Sequence, residues 1–441
     1  MTAEIVIMNR EAVALAADSA VSLMAGPGDR PQKIFTSADK IFELAREHSA
    51  CIMIYNNAAF MGIPWQTLIT IYRGSLPDTP FDTLEEYAQH FIDFLTKEEG
   101  LIPDAVQQRF FVDGVYRTFL FIRYLIQQNA SAVLAEKGQI SEEEIQGITG
   151  TIIDDIFGKL SGAPYSPTLD DAYAKELAEA YGEWIVRAAS EVFERIPLTP
   201  DLARKLSQIA VLFYVKAMEG FEPLERDFSG VVFAGFGTRD LFPSMQAFLV
   251  EGMIRKRLKH QEVEKEQVGF ENGAIIIPFA QREMVDIFIS GLDPRFTGGF
   301  LGSLAKTFEE YPRVIIDSIG KLTDEEKEEL KGKFGQTSQE IVQRIRDQLA
   351  SYQAFNANPI VNVVAALPRS DLAAMAESLV NLTSLKRRVS LQEETVGGPV
   401  DVAVISRSDG FIWIKRKEYF RPELNPGYLA ERAGRDHGRK G

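Results

Sequence analysis

The stretch that decides the fold is the first one, residues 1–19, MTAEIVIMNREAVALAADS. Two short apolar runs, AEIVIMN and AVALAADS, flank the turn-like NRE, and this pattern predicts an antiparallel β-hairpin. Thr2 directly follows the initiator Met1, which is normally removed when the next side chain is small. Removal would leave a hydroxyl group and a free α-amine on one residue.

A free Thr2 would carry the parts of a nucleophile. A threonine hydroxyl is a weak nucleophile and needs a nearby base. An α-amine has an ordinary pKa of about 7.7 to 8.0, so it is partly neutral at cellular pH and can serve as that base. Asp18, at the end of the second run, and Lys33, the first residue of KIF, are candidates for tuning the amine.

These residues together resemble the start of a proteasome β-type subunit. The resemblance rests on Thr2, on AVALAADS ending in Asp18 and Ser19, and on Lys33 followed by an apolar residue. The start is most similar to the bacterial heat-shock threonine protease, an N-terminal-nucleophile hydrolase. The resemblance implies an α+β fold, a four-layer αββα sandwich that assembles into rings. It also implies that Thr2 attacks a peptide carbonyl while Asp18 and Lys33 organise its activation.

Later segments extend the resemblance. The segment SADKIFELAREHSACIMIYNNAAFMGIPWQTL is similar to the family's strand, small-residue turn and first helix, which implies an oxyanion donor near Asn56 or Asn57. VVFAGFG and FLVEGMI resemble the central hairpin. EETVGGPVDVAVISRSDG resembles the glycine turn and the closing hairpin, and Glu393 or Glu394 falls where the family keeps an accessory aspartate.

The sequence also departs from the family pattern. The glycine-serine turn before the third helix reads IPFAQ, so the accessory serine is missing or replaced within residues 279–281. Val396 stands where the family has a serine before its late glycine pair, and Ala20 stands where an arginine is common. An asparagine replaces the turn glycine. These departures leave open whether the site is active.

The pattern of apolar residues divides the chain into segments. Helical spacing and two capping-box sequences, Thr83 with Glu86 and Ser141 with Glu144, indicate a helical region after the first strands. A second helical stretch follows the middle strands. The predicted segments are a first part of the core (1–75), a helical insertion (76–226), continued core (227–292), a second helical insertion (293–360), the last helix and closing hairpin (361–420) and a basic tail (421–441).

Composition excludes several classes of function. The net charge of −15 argues against nucleic-acid binding, which needs a basic face. Cys51 is the only cysteine and the four histidines lie far apart, so we expect no disulfide, no metal and no cofactor. No apolar run approaches the roughly 20 residues that span a bilayer, so we expect a cytoplasmic protein without membrane contact.

Three functions remain open at this point. The first is an N-terminal threonine amidohydrolase, a peptidase with Thr2 as nucleophile, Asp18 and Lys33 as its partners, and Ser19, Asn57 and Glu393 as accessory or oxyanion residues. The second is a non-catalytic assembly or scaffold subunit that keeps the sandwich. The third is a small-molecule amide hydrolase. We expect a homo-oligomer that acts on peptide or protein substrates, and any ATP-dependent unfoldase partner stays open.

Overall fold

The computed structural model describes residues 3–24, 31–45, 48–98, 100–217, 227–389 and 397–427. Side chains are described throughout these ranges except at positions 22–24, 31–34, 45 and 422. The chain divides into two compact units, one formed by residues 1–20 with 268–441 and the other by residues 21–267.

The strands and helices are numbered along the described part of the chain. The strands are β1 Ala3–Asn9, β2 Ala12–Ala17, β3 Val21–Met24, β4 Pro31–Phe35, β5 Ile41–Ala45, β6 His48–Asn56, β7 Ala59–Phe60, β8 Ile63–Pro64, β9 Ser229–Gly235, β10 Ser244–Ile254, β11 Arg257–Gln267, β12 Ala274–Ala280, β13 Asp401–Ser406 and β14 Gly410–Lys415. The helices are α1 Trp65–Ser75, α2 Leu84–Lys97, α3 Asp104–Lys137, α4 Glu142–Gly162, α5 Asp171–Val192, α6 Pro200–Val215, α7 Glu283–Ser290, α8 Pro294–Ser318, α9 Asp324–Val364 and α10 Arg369–Val389.

The first unit contains an antiparallel sheet whose strands, among the described residues, lie in the order β12-β1-β2-β13-β14. Alternate residues of β1 and β2 pack against α10 and the neighbouring helices, because side chains along a strand point to opposite faces. The residues of the opposite face, including Val6, Met8, Val13 and Leu15, are also fully buried apolar side chains. Both faces of this sheet are therefore apolar.

Two long helices of the first unit, α8 and α9, form an antiparallel-running pair that contacts the rest of the unit mainly through α7 and β12. The pair is held internally by a hydrogen bond from the Ser338 hydroxyl to the backbone oxygen of Phe308, 2.7 Å long. Few of its side chains are fully buried.

The second unit contains a sheet whose described strands lie in the order β11-β10-β9-β6-β5, again antiparallel. Helices α1 and α2 cover one face, where aromatic side chains of both helices pack on β6, β9 and β10. The α2 helix therefore belongs to this core and does not join the helices that follow it.

Helices α3, α4, α5 and α6 pack on one another around their own hydrophobic core. The core is closed against β10 by Ile254 and by hydrogen bonds from the Tyr173 and Tyr214 hydroxyls to backbone oxygens of Ile254 and Gly252. The apolar faces of these four helices are thus buried in a hydrophobic core within the second unit.

The structure confirms the mixed α+β class with antiparallel strands. The predicted hairpins form as β1–β2, β9–β10 and β13–β14. Both predicted capping boxes, at Thr83 and Ser141, have their reciprocal hydrogen bonds. The sequence analysis assigned no strand to β11, because its sequence RLKHQEVEKEQ is too charged to give an apolar signal.

Candidate functional site

The Asp18 carboxylate is the central feature of the predicted site. Asp18 is only 1% exposed, at the end of β2. Its Oδ1 accepts a hydrogen bond from the backbone N–H of Ala3 (3.2 Å), and its own N–H donates to the oxygen of Ala3 (3.1 Å). Its Oδ2 accepts from the N–H of Gly397 (2.9 Å). One buried carboxylate therefore ties the beginning of β1 to the glycine turn before β13.

Ser19 strengthens the same junction. The Ser19 hydroxyl donates to the backbone oxygen of Pro399 (2.6 Å), and its N–H donates to the oxygen of Gly397 (3.3 Å). Gly398 has a φ of +80°, a left-handed conformation that glycine adopts without steric cost. The junction of β1, β2 and the glycine turn is thus closed by backbone and side-chain hydrogen bonds together.

Several predicted site residues lie outside the described residues. These are Thr2, Glu393 and Glu394, together with Val396. Lys33 lies in β4, where its backbone is paired with Leu23, but its side chain is not among those described. Their roles stay predictions.

The end of β12 contains part of the segment IPFAQ, in which the sequence analysis expected the accessory serine to be missing or replaced. Strand β12 pairs with β1, and the last pair is Ala3 with Ala280. Ala280 has a φ of +57°, which is rare for a residue with a Cβ atom and often marks functional sites. The next residue, Gln281, is buried, and its side-chain oxygen accepts a hydrogen bond from Nε of Arg387. A neutral amide hydrogen-bonded to a guanidinium therefore lies directly after the last β1–β12 residue pair.

Arg387 is itself held by an acidic partner. Its guanidinium lies 3.8 Å from the carboxylate of Glu283, which also pairs with Lys386 at 3.0 Å and with Arg295. Glu283 lies in the first turn of α7, where the helix dipole favours an acidic side chain. This network fixes the orientation of Arg387 and, through it, of Gln281.

The second unit contains the predicted oxyanion turn, which follows β6. Asn56 has a φ of +69°, and asparagine is among the residues that enter this region most readily, so it can replace a turn glycine. The Asn57 side-chain amide donates to Oδ1 of Asp227 (2.5 Å), and the Asn56 amide donates to the oxygen of Phe228 (2.8 Å). Both asparagines are therefore anchored to the segment that leads into β9.

The backbone of this turn is held from a second side. The backbone oxygen of Asn57 accepts from the Ser229 hydroxyl (3.4 Å), which in turn accepts from the indole N–H of Trp65 (2.8 Å). Within the described part of the chain, the backbone N–H of Asn57 has no hydrogen-bond acceptor. A fixed turn with such an N–H has the form of an oxyanion donor.

A small cleft beside this turn is lined by Lys40, a residue that the sequence analysis did not select. Asp39 and Lys40 line the cleft together with Asn56, Asn57 and Trp65. Lys40 is 5% exposed, and its backbone oxygen accepts from the N–H of Ile54 (2.8 Å). The signal was present in the sequence, since both KIF motifs consist of a lysine followed by Ile and Phe, and only the first was considered.

In the described ranges, no group of three or more His, Cys, Asp or Glu side chains is arranged to bind a metal ion. No described helix is both long enough and apolar enough to cross a bilayer.

Comparison with known proteins gives little further support. No family model and no curated protein matches the chain. A solved structure described as an Anbu (Gly-1) mutant from Hyphomicrobium sp. strain MC1 is similar at 9% identity and a TM-score of 0.25, over 100% of this chain and 97% of that one. A TM-score this low does not establish a shared fold.

Proposed function

We propose that this chain is a proteasome-like N-terminal threonine amidohydrolase that hydrolyses peptide bonds. Removal of Met1 exposes Thr2, whose hydroxyl is the nucleophile and whose α-amine is the base. The observation that carries the proposal is the hydrogen bond from the Ala3 N–H to Asp18, because this is the peptide group that directly follows Thr2. A buried carboxylate therefore fixes the backbone of Ala3, the residue that follows the proposed nucleophile.

The proposed reaction has two stages. The Thr2 hydroxyl adds to the peptide carbonyl while its proton moves to the α-amine, and the resulting oxyanion is stabilised by the Asn57 backbone N–H. The amine then passes its proton to the leaving amine, which produces an ester on Thr2. Water hydrolyses the ester by the reverse sequence of proton transfers, which regenerates the free threonine.

The proposal includes the four-layer sandwich. Each unit has a sheet with helices on one face and a buried apolar opposite face, as this architecture requires. The lysine partner of the amine is either Lys33 or Lys40. We favour Lys40, since it is buried and lines the same cleft as Asn57.

The test is covalent labelling of Thr2 by a peptide epoxyketone or a β-lactone, measured by intact mass and peptide mapping. We expect trimmed Met1 and a single adduct on Thr2, with a rate that rises between pH 7 and 9 as the amine loses its proton. Thr2→Ala is the matched control, because alanine also permits methionine removal but lacks the hydroxyl. Labelling of that variant, or no labelling of wild-type protein with a free Thr2, would reject the mechanism.

Partner residues are tested in the same assay. Asp18→Asn and Lys40→Ala should each slow labelling at least tenfold, while Lys33→Ala is expected to have the smaller effect. Gln281→Leu should slow labelling less than Asp18→Asn, because the Gln281 amide is neutral and its replacement removes no charge from the site. Thermal unfolding of each variant separates loss of reactivity from loss of folding. Normal labelling of Lys40→Ala together with slow labelling of Lys33→Ala would move the assignment back to Lys33.

A non-catalytic assembly subunit is the second candidate. It is favoured by the exposed apolar side chains of α8 and α9, because large exposed apolar patches mark protein–protein interaction sites. Retention of Met1 on the natively folded protein would favour this function over the first.

A further inference from the structure

The α8–α9 pair leaves several of its large apolar side chains exposed. In α8 the described side chains include one fully buried residue, Ile316, although the helix has a well-defined apolar face. In α9, which is 41 residues long, the buried residues are Ser338, Val342 and Val364. Most stability of a helix in a protein comes from packing of its apolar face, so a pair this long is expected to pack against something.

The uncovered residues of α8 lie on one stripe. Phe296, Phe300, Tyr311, Val314 and Ile315 recur at helical spacing, which places them on the same side of the helix. The rings of Phe296 and Phe300 are stacked, with centroids 5.8 Å apart and an interplanar angle of 11°. The exposed apolar residues on this face therefore form two groups, one at the start of α8 and one near its end, with the exposed Ser303 and Thr307 between them.

Helix α9 adds further exposed apolar residues, Phe334, Tyr352, Phe355 and Val363. Its carboxyl-terminal half lies near the start of α8, since the Asn356 side-chain amide donates to the backbone oxygen of Ser290 (3.2 Å), just before α8. Tyr352 and Phe355 are thereby brought to the same end of the pair as Phe296 and Phe300. We name this set of exposed residues of α8 and α9 the apolar stripe.

The area of the apolar stripe matches what a stable protein interface requires. Its six aromatic side chains are between 44% and 76% exposed. At about 200 Å² for each aromatic side chain, they leave roughly 700 Å² uncovered. A stable complex buries about 800 Å² on each partner, whereas the largest apolar patch of an ordinary monomer is about 300–600 Å².

The charge of this region favours a second copy of the chain over an anionic partner. Residues 294–364 contain nine basic and ten acidic residues, a net charge of −1, although the whole chain has −15. Residues 348–368, which include Tyr352, Phe355 and Val363, contain no charged residue. A second copy of this chain would meet less electrostatic repulsion here than its overall charge implies. Anionic lipid and nucleic acid would find no excess of basic residues.

We propose that the apolar stripe is the contact surface for a second copy of this chain, whose own α8 and α9 pack against it to form a four-helix interface. In a two-fold arrangement each stripe is buried by its equivalent, so one surface serves both partners. The inference does not depend on chemistry at Thr2.

The first experiment measures mass in solution. Sedimentation velocity and light scattering at micromolar concentration should show a dimer or a larger even-numbered assembly. The double variant Phe296→Glu/Phe355→Glu should dissociate it at least tenfold more readily, because it places four carboxylates in each pair of stripes. Tyr124→Glu is the matched control, since Tyr124 is 53% exposed on α3, outside the apolar stripe. A monomeric wild-type protein, or an assembly that the double variant leaves unchanged, would overturn the proposal.

The second experiment tests contact directly and does not require a destabilising charge. Cys51 is fully buried, and burial raises the pKa of its thiol, so it should not react in the folded protein. Phe355→Cys therefore provides one reactive thiol, and a short bismaleimide should cross-link it into covalent dimers. Tyr124→Cys should give none. Equal cross-linking of the two variants would contradict the proposed interface, as would binding of the stripe to lipid vesicles by a monomeric protein.

Discussion

The two helical regions of this chain differ in how far their apolar faces are buried. Helices α3–α6 bury their apolar faces against one another and against β10, so their core is completed within one chain. Helices α8 and α9 are comparably long but bury few side chains and leave aromatic rings in solvent. Helical pattern alone does not distinguish these cases.

The difference shows where stability and function are expected to reside. The α3–α6 group gains the free energy of burial on folding, at about 25 cal/mol for each Å² of apolar surface removed from water. The α8–α9 pair gains less of it within one chain, and the proposed interface would add the rest on association. Mutations in the first region should therefore act on folding, and mutations in the second on assembly.

The largest contrast is expected between two phenylalanines. Phe119 in α3 is fully buried and packs edge-to-face against Phe193, whereas Phe355 in α9 is 76% exposed. Phe119→Ala should lower the free energy of unfolding by about 3–5 kcal/mol through the cavity it leaves. Phe355→Ala should change it by less than about 0.5 kcal/mol in the dissociated protein. Urea denaturation at low protein concentration measures both values.

One result would contradict the expected difference between Phe119 and Phe355. Similar losses for both variants in dilute protein would mean that Phe355 is covered within a single chain. A loss that appears for Phe355→Ala only at high protein concentration would instead support association, because partner binding stabilises the folded state by mass action.

Two ion pairs, one buried beside α6 and one exposed on α9, should also differ in what they contribute to stability. Lys259 of β11 and Glu251 of β10 form a buried pair 2.9 Å apart, beside the Tyr214 ring of α6. Glu251→Gln should cost about 3–5 kcal/mol, because it leaves a buried ammonium group without its counter-charge. The matched pair on α9, Lys333 with Glu329, is 2.6 Å long but about 70% exposed on both side chains. Lys333→Gln should therefore cost no more than about 0.5 kcal/mol.

These two variants are compared by thermal and urea unfolding under the same conditions. A small loss for Glu251→Gln would show that water or another group replaces the carboxylate. Raising the salt concentration should reduce the effect at Lys333 and leave the effect at Glu251 largely unchanged, since buried pairs are screened much less.

Most elements of the fold could be predicted from local sequence. Alternation and turn residues located the hairpins, and capping boxes located the starts of α2 and α4, because these signals lie within a few residues of each other. Strand β11 could not be predicted, as its pairing with β10 tolerates charged side chains on an exposed edge. The membership of α2 in a sheet core depends on contacts that are distant in sequence.

The candidate site was predicted in part. Asp18 and Ser19 were selected by resemblance, and the structure adds the hydrogen bonds by which they hold Ala3 and the glycine turn. Lys40 and the Gln281–Arg387 pair were not selected, because their significance comes from burial and from partners far along the chain. Thr2 and Lys33 stay predictions that depend on the labelling experiment.

The smallest expected difference between the two helical regions concerns the N-terminal caps of α4 and α9. Ser141 and Thr323 each complete a capping box, at α4 and α9 respectively. Replacement of either by alanine removes a bond worth about 1 kcal/mol to its helix. Because α4 packs into a closed core, Ser141→Ala should lower global stability by that amount, whereas Thr323→Ala should only fray the exposed start of α9. Hydrogen exchange should then be about fivefold faster in the first turn of α9 with no change in the unfolding midpoint. An equal shift of that midpoint in both variants would show that α9 folds as tightly with the rest of the chain as α4 does.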